Sequence, residues 1–539
     1  MNMYCIDLVC LSGHYHMEPL LSWARSRGAS YNDAVLICRE GSRGRGVFAT
    51  EVVPKGTLLM RLPFELAVRP NGLLAERVEQ GKCSSLLALA LTAYHEAYVA
   101  QPRSPFFDVF VSTPPPRLPM LWSEAELALL PGTSLLPADS SLRPSDLQQA
   151  ARSAFANDVL PEMEALGDDY IPLELRCIDK FMPHLALVVS RTLQGRVSYE
   201  HGAASLWPCL AADGPSTSTR QGGPGPFLLP IFELLNHSSD PDACCTRLTR
   251  VDGDAVDGST SDVFEIRAER TIRAGEEILH SYGRHGSAEL LRTYGFIEAG
   301  GSPHTGIFLG HATLVTAAAA QLARSQAIGS PVERCTQQSA NESKMDVLHA
   351  RLEMLSGAGL LPPGGFVLTR GTLVPVPLLT SVQVLLMEAE AYEAWCDAGC
   401  ISLGEEFLDA DILPEAIACL LSLVRASVSP SGGSSSGRGG TPAGGKDVST
   451  EAAALAEALR IDEARIIRAF KSEVLGLEDK VAANAVDDDE ELTGEESDRE
   501  ESDGEESEGQ DGAEFDGQLD EESGDGDAPA APSKRARTE

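Results

Sequence analysis

Four short runs, far apart in a chain of 539 residues, combine glycines with hydrogen-bonding and aromatic side chains. They are Arg43-Gly44-Arg45-Gly46, Pro230-Ile231-Phe232-Glu233-Leu234-Leu235-Asn236-His237-Ser238, Glu276-Glu277-Ile278-Leu279-His280-Ser281-Tyr282-Gly283 and Tyr294-Gly295-Phe296. A glycine-rich loop cradles phosphate when it opens a helix, but the cluster at 41–46 leads into a strand-like sequence, so neither a dinucleotide fold nor a P-loop is indicated. Taken singly, that cluster is a tight turn, Tyr282 is an aromatic at a strand end, and His237 is a structural histidine. The twelve cysteines are scattered without a CxxC pair, which indicates neither a zinc cluster nor a disulfide scaffold.

In order and spacing, the four runs together resemble the split SET-domain methyltransferases, the family of the plant Rubisco large-subunit lysine methyltransferase. The resemblance extends from about residue 20 to residue 478. It implies S-adenosylmethionine as cofactor and no metal. Backbone groups of Arg43, Gly44, Arg45 and Gly46 are then expected to hold the cofactor, glycine allowing the chain to come close. Asn236 and His237 are expected to contact it, His237 largely through its backbone and without acid–base work. Ser190-Arg191 matches the family's Ser-Arg pair, with Arg191 facing the cofactor carboxylate through a charge-assisted bond. The resemblance makes Tyr282 the catalytic tyrosine, also in contact with the cofactor, and makes Tyr294 and Phe296 the lining around cofactor and target side chain.

Glu233 and Leu193 complete the expected substrate side. Glu233 stands where relatives commonly carry Asp, and Arg43 where Glu can occur, so side-chain roles at both positions depart from the family pattern. Leu193 cannot offer an imidazole nitrogen the hydrogen bond that Asn supplies in the histidine-modifying branch, which favours lysine as the target. Methyl transfer from a sulfonium to an amine is an in-line displacement, so alignment is the main task. An apolar channel also helps by penalising the ammonium form of lysine.

Several elements must position these residues. Residues 18–33 read as a short amphipathic helix ending near Gly28, followed by a strand-like run from Ala34 to Cys38. Gly46 to Leu62 reads as strand, turn at Pro54-Lys55-Gly56, strand, and a related pattern returns at Phe264 to Tyr282. Each of these hairpin-like units places an alanine seven residues before its turn glycine, Ala49/Gly56 and Ala268/Gly275. Between them lies an insertion, about 71–226, with helices expected at Ser84–Tyr98 and Leu173–Thr192 and a Gly/Pro/Ser/Thr-rich loop from His201 to Pro226. After Gly300 the periodicity is helical at Ser343–Leu355, Ser381–Asp397, Pro414–Ala426 and Thr450–Leu477, with a Ser/Gly-rich break at Ser427–Gly445.

The expected fold class is therefore α+β: a SET-type β fold of small sheets with a pseudoknot and a helical insertion, plus an all-α C-terminal substrate-binding domain. The expected division is an N-terminal helical segment at 1–30, a SET domain at 31–300, a helical domain at 301–480 and an acidic tail at 481–539. Net charge is −37, yet Asp487 to Asp527 holds 22 acidic residues against one basic, so the tail carries more than half of it. With no basic face and no apolar run of about 18 residues, nucleic acid and membrane are not expected partners. Unpaired thiols fit the nucleus or cytoplasm.

The expected activity is S-adenosylmethionine-dependent protein-lysine N-methylation of a histone or non-histone protein. Protein-histidine methylation and a catalytically silent, protein-binding SET-like scaffold are the alternatives. A protein substrate is the expected partner, with the acidic tail offering contact to a further basic protein.

Overall fold

The computed structural model describes residues 17–41, 43–137, 143–193, 226–251, 262–326, 337–362, 364–371, 374–403, 412–427 and 448–478. The Gly/Pro/Ser/Thr-rich loop (apart from Pro226), most of the Ser/Gly-rich break and the acidic tail lie outside them. Eight strands are present among the described residues: β1 (Ser30–Tyr31), β2 (Val35–Gly41), β3 (Gly44–Ala49), β4 (Leu58–Pro63), β5 (Thr246–Val251), β6 (Val263–Ala268), β7 (Gly306–Gly310) and β8 (Gly365–Thr369). The helices of the first half are α1 (Met17–Ser26), α2 (Gly72–Glu79), α3 (Ser85–Tyr98), α4 (Pro105–Ser112), α5 (Glu124–Leu127), α6 (Pro144–Ala154), α7 (Leu160–Leu166) and α8 (Ile178–Val189). Those of the second half are α9 (Ser287–Tyr294), α10 (His311–Gln326), α11 (Gln337–Gly357), α12 (Val376–Leu386), α13 (Ala389–Asp397), α14 (Leu413–Ser427) and α15 (Thr450–Leu475).

The two hairpin-like units expected from sequence are not hairpins. β3 pairs with β2, whereas β4 joins a four-stranded sheet of order β1-β4-β6-β5. The two turns instead grip each other. Gly56 N–H donates to the Ala268 carbonyl at 2.7 Å, Gly275 N–H donates to the Ala49 carbonyl at 2.7 Å, and Val53 and Ile272 each donate a backbone N–H to the other's carbonyl at 2.9 Å. The Ala/Gly repeat is thus the signature of a pseudo-twofold pair formed by segments more than 200 residues apart. Its local pattern resembles a hairpin because the same turn chemistry reverses the chain in both cases.

Helix α3 shows why the insertion forms. Its run of Ala and Leu has high helix propensity, and the Ser84 hydroxyl caps it by accepting the Leu87 N–H at 3.1 Å, a contact worth about 1 kcal/mol. Leu87 through Tyr94 are all buried, which makes α3 a central helix in the large core shared by the sheets and the insertion. A second core gathers α10, α12, α14 and the later part of α15.

Among the described residues after Gly300 the regular elements are helices and the antiparallel ribbon β7–β8, an addition to the all-α expectation. The central residues of both strands, Ile307-Phe308-Leu309 and Phe366-Val367-Leu368, are all apolar, so the sequence shows no period-two alternation there. The helix expected at Ser381–Asp397 is two, α12 and α13. Arg351 Nη1 donates to the carbonyls of Val384, Leu385 and Met387, which satisfies the end of α12 and stops it there. No helix among the described residues is long and apolar enough to cross a membrane.

Candidate active site

The turn between β2 and β3 brings Arg43 and Gly44 to the site, and β3 carries Arg45 and Gly46 onward. The Asn236 side chain reaches across to donate to the Arg45 carbonyl at 3.0 Å and to Glu277 Oε1 at 2.8 Å. Arg43 meets the other oxygen of Glu277 at 3.2 Å. A Cβ at position 46 would stand 2.5 Å from Glu277 Oε1 and 2.9 Å from Asn236 Nδ2, so any other residue there would displace these two polar groups. Glu277 is therefore the hub of this half of the site. It belongs to a run singled out in the sequence, but its side chain carried no expected role.

The Asn236 and Tyr282 segments lie side by side through a parallel bridge between His237 and His280, as the SET-type expectation requires. His280 N–H donates to the Asn236 carbonyl at 2.9 Å. Tyr282 N–H donates to His237 Nδ1 at 3.0 Å, which leaves the proton of the neutral ring on Nε2, facing Ser239 Oγ at 2.9 Å. Burial pushes the His237 pKa below its ordinary value, against the opposing pull of Glu298, and burial lowers that of His280 to about 4. Both rings are neutral near pH 7.

The Tyr282 hydroxyl donates to the Leu235 carbonyl at 2.8 Å. Burial pushes its pKa above the ordinary phenol value, Arg191 opposes this, and Glu233 and Glu277 add to it. Around this phenol stand the rings of His237 (centroids 4.9 Å apart) and Tyr294 (4.8 Å), with Phe296 at 6.1 Å from His237. Helix α9 delivers Tyr294 and ends at Gly295, whose left-handed φ of 80° disfavours a side chain and where a Cβ would stand 2.9 Å from Arg117 N.

Arg191 follows the end of α8, where Ser190 is the capping residue. Its Nη1 is 2.9 Å from Ser190 Oγ, and its Nε is 2.7 Å from Glu233 Oε2. The Glu233 side chain is 2 % exposed, and its Oε1 takes no hydrogen bond from the described residues. Just before it, Ile231 is fully buried at φ 75°, a conformation that costs a β-branched residue on the order of 1–3 kcal/mol. That strained turn opens the helical turn Phe232–Leu234 which aims Glu233. Leu193 stands apart in its contacts. Its peptide pairs with Phe227, and its side chain packs against the large core.

Comparison with known proteins fits this geometry. Residues 44–283 match the SET domain family model. It is 24 % identical to N-lysine methyltransferase setd6 of Xenopus tropicalis over 52 % of this chain and 56 % of that protein. It is 25 % identical to N-lysine methyltransferase setd6 of Danio rerio over 70 % of this chain and 75 % of that protein. The chain thus spans a little over half the length of the Xenopus relative. A crystal structure of the SET domain of LSMT bound to lysine and AdoHcy has the same fold, with a TM-score of 0.51 at 16 % identity over 89 % of this chain and 96 % of that one.

Proposed function

We propose that this protein is an S-adenosylmethionine-dependent protein-lysine N-methyltransferase. The observation that carries the reading is the buried Tyr282 phenol, hydrogen-bonded to the Leu235 carbonyl inside an aromatic wall of His237, Tyr294 and Phe296. The names of the setd6 relatives support the same activity.

The residues present fit the cofactor. Gly44, left-handed at φ 83°, has no atom of the described residues within 4 Å of the place a Cβ would occupy, which leaves room over the backbone of the β2–β3 turn. The second Glu233 oxygen is a buried acceptor open to an ammonium donor, and Arg191 beside it suits a carboxylate. Arg43, Gly44, Arg45, Gly46, Asn236 and His237 would form the nucleoside side of the cradle, and Ser190, Arg191 and Phe296 the remainder.

When bound, S-adenosylmethionine supplies an electrophilic methyl group on sulfur. The chain's own task is to align and desolvate the amine. Tyr282 stays a phenol because burial disfavours phenolate, so it positions and does not act as a base. Its oxygen and nearby carbonyls orient the amine lone pair and accept weak C–H···O contacts from the methyl group. The aromatic wall, with Tyr294 on the substrate side, desolvates the amine, which disfavours the ammonium form, and admits a long aliphatic side chain. The names of the setd6 relatives support lysine over histidine. The partner is a protein substrate, and cysteines scattered without a CxxC pair fit a reaction in nucleus or cytoplasm.

The test is incubation with labelled cofactor and a proteome, wild type beside Tyr282→Phe, followed by identification of the modified side chain. Label on lysine that is lost in the variant supports the reading. Absence of transfer together with absence of cofactor binding contradicts it.

A further inference from the structure

We infer that Asp462, on α15, is a positioning residue that holds Tyr282 in place through a buried chain of hydroxyl groups. Asp462 is 1 % exposed, and its Oδ2 accepts from Ser287 Oγ at 2.6 Å and from Thr305 Oγ1 at 2.6 Å. Arg370 and Arg465 face its other oxygen. Two elements that follow Tyr282 in the chain, the start of α9 and the segment before β7, are thereby fixed to a residue 175 and 157 positions later in sequence.

The chain continues inward. Ser287 Oγ accepts the Ser302 N–H at 3.1 Å. The Ser302 hydroxyl donates to the His285 carbonyl at 2.7 Å and lies 3.4 Å from Ser239 Oγ. From Ser302 both branches end on the Tyr282 peptide. On one, Ser239 Oγ meets His237 Nε2, and His237 Nδ1 takes the Tyr282 N–H. On the other, His285 Nε2 meets the Tyr282 carbonyl at 3.1 Å. Both peptide groups of Tyr282 are thus gripped by rings that answer to one serine, and that serine answers to Asp462.

Ser239, Ser287, Ser302 and Thr305 are all buried, so water cannot replace a lost partner, and hydrogen bonds in such a setting are strong and expensive to break. Two other polar ties of α15 do not enter this chain. Ser449, its N-cap, accepts the Ala452 N–H and bonds Glu126, while Glu463 bonds Ser134. Removing Ser449 therefore loosens the same helix without touching the relay.

The positional claim stands on this geometry, and its catalytic consequence rests on the methyltransferase reading. Amide exchange over residues 281–283 of the full chain tests the first, in wild type, Asp462→Ala, Ser302→Ala and Ser449→Ala. Exchange at least tenfold faster in the two relay variants and unchanged in Ser449→Ala is expected. Unchanged exchange in Ser302→Ala overturns the inference, as does equal acceleration in Ser449→Ala. If Asp462→Ala does not fold, Ser302→Ala decides. The kinetic arm expects Ser302→Ala to lower kcat about tenfold with cofactor KM retained, while Ser449→Ala keeps both. Faster exchange with unaltered kcat removes the catalytic consequence. A wild type that transfers no methyl group defeats the methyltransferase reading and leaves the exchange result to decide the positional claim.

Discussion

The Tyr282 hydroxyl lies 2.8 Å from the Leu235 carbonyl, 47 residues earlier in the chain, and donates to it from within a buried aromatic cluster. Because burial raises the phenol pKa, Tyr282 remains protonated far into the alkaline range. An absorbance titration of wild type minus Tyr282→Phe should show no phenolate from this residue while the protein stays folded. A phenolate step near the ordinary value of about 10 would show the phenol to be solvated.

The Arg191–Glu233 pair should matter to stability as well as to binding. Truncation of Arg191 leaves the Glu233 carboxylate, 2 % exposed, without its cation. Arg191→Ala is expected to cost about 3–5 kcal/mol in denaturant unfolding, whereas Arg191→Met with Glu233→Leu should recover much of that loss. A single variant as stable as wild type would show that the pair is not buried in solution.

Gly46→Ala tests the cradle directly. The new methyl group would press on Glu277 and Asn236 at 2.5 and 2.9 Å, and both belong to the Asn236–Glu277–Arg43 network. Calorimetry should find cofactor affinity reduced by roughly a factor of ten or more, with thermal stability less affected. Gly44→Ala, where a Cβ meets open space but φ is 83°, should be damaging mainly through backbone strain of about 1 kcal/mol.

Glu463 gives the fold a pH dependence. Burial lifts its pKa from 4.5 to about 7, opposed by the bonds from Ser134 and the charge of Arg460. Protonated Glu463 is thus the form the folded chain prefers. The associated stability is fully present below pH 4.5 and is lost as pH rises to about 7, in total about 3 kcal/mol. Unfolding free energy measured from pH 4.5 to 8 should fall less in Glu463→Gln than in wild type. Parallel curves would contradict the assignment.

Much of this site is legible in the sequence because glycine turns and short motifs are local. Gly44 to Gly46, Asn236-His237 and Tyr282 all lie where the structure joins them, and the Ala/Gly repeat marks two turns that grip each other. What stayed hidden was pairing over long range. Period-two alternation cannot reveal whether β4 bonds β3 or β6, and the structure chooses β6. Glu277, Ser302 and Asp462 were silent for a related reason. A polar residue's importance comes from what it faces once buried, and Asp462 faces Ser287 and Thr305 only after α15 has docked.

The most direct test pairs two measurements on the same preparations: calorimetric binding of S-adenosylmethionine, and the single-turnover rate of methyl transfer to lysine, for wild type and Tyr282→Phe. The expected result is affinity within about threefold and a rate lower by roughly a hundredfold, about 2.7 kcal/mol of transition-state stabilisation. Equal rates in the two proteins, or methyl groups recovered on histidine, would contradict the account.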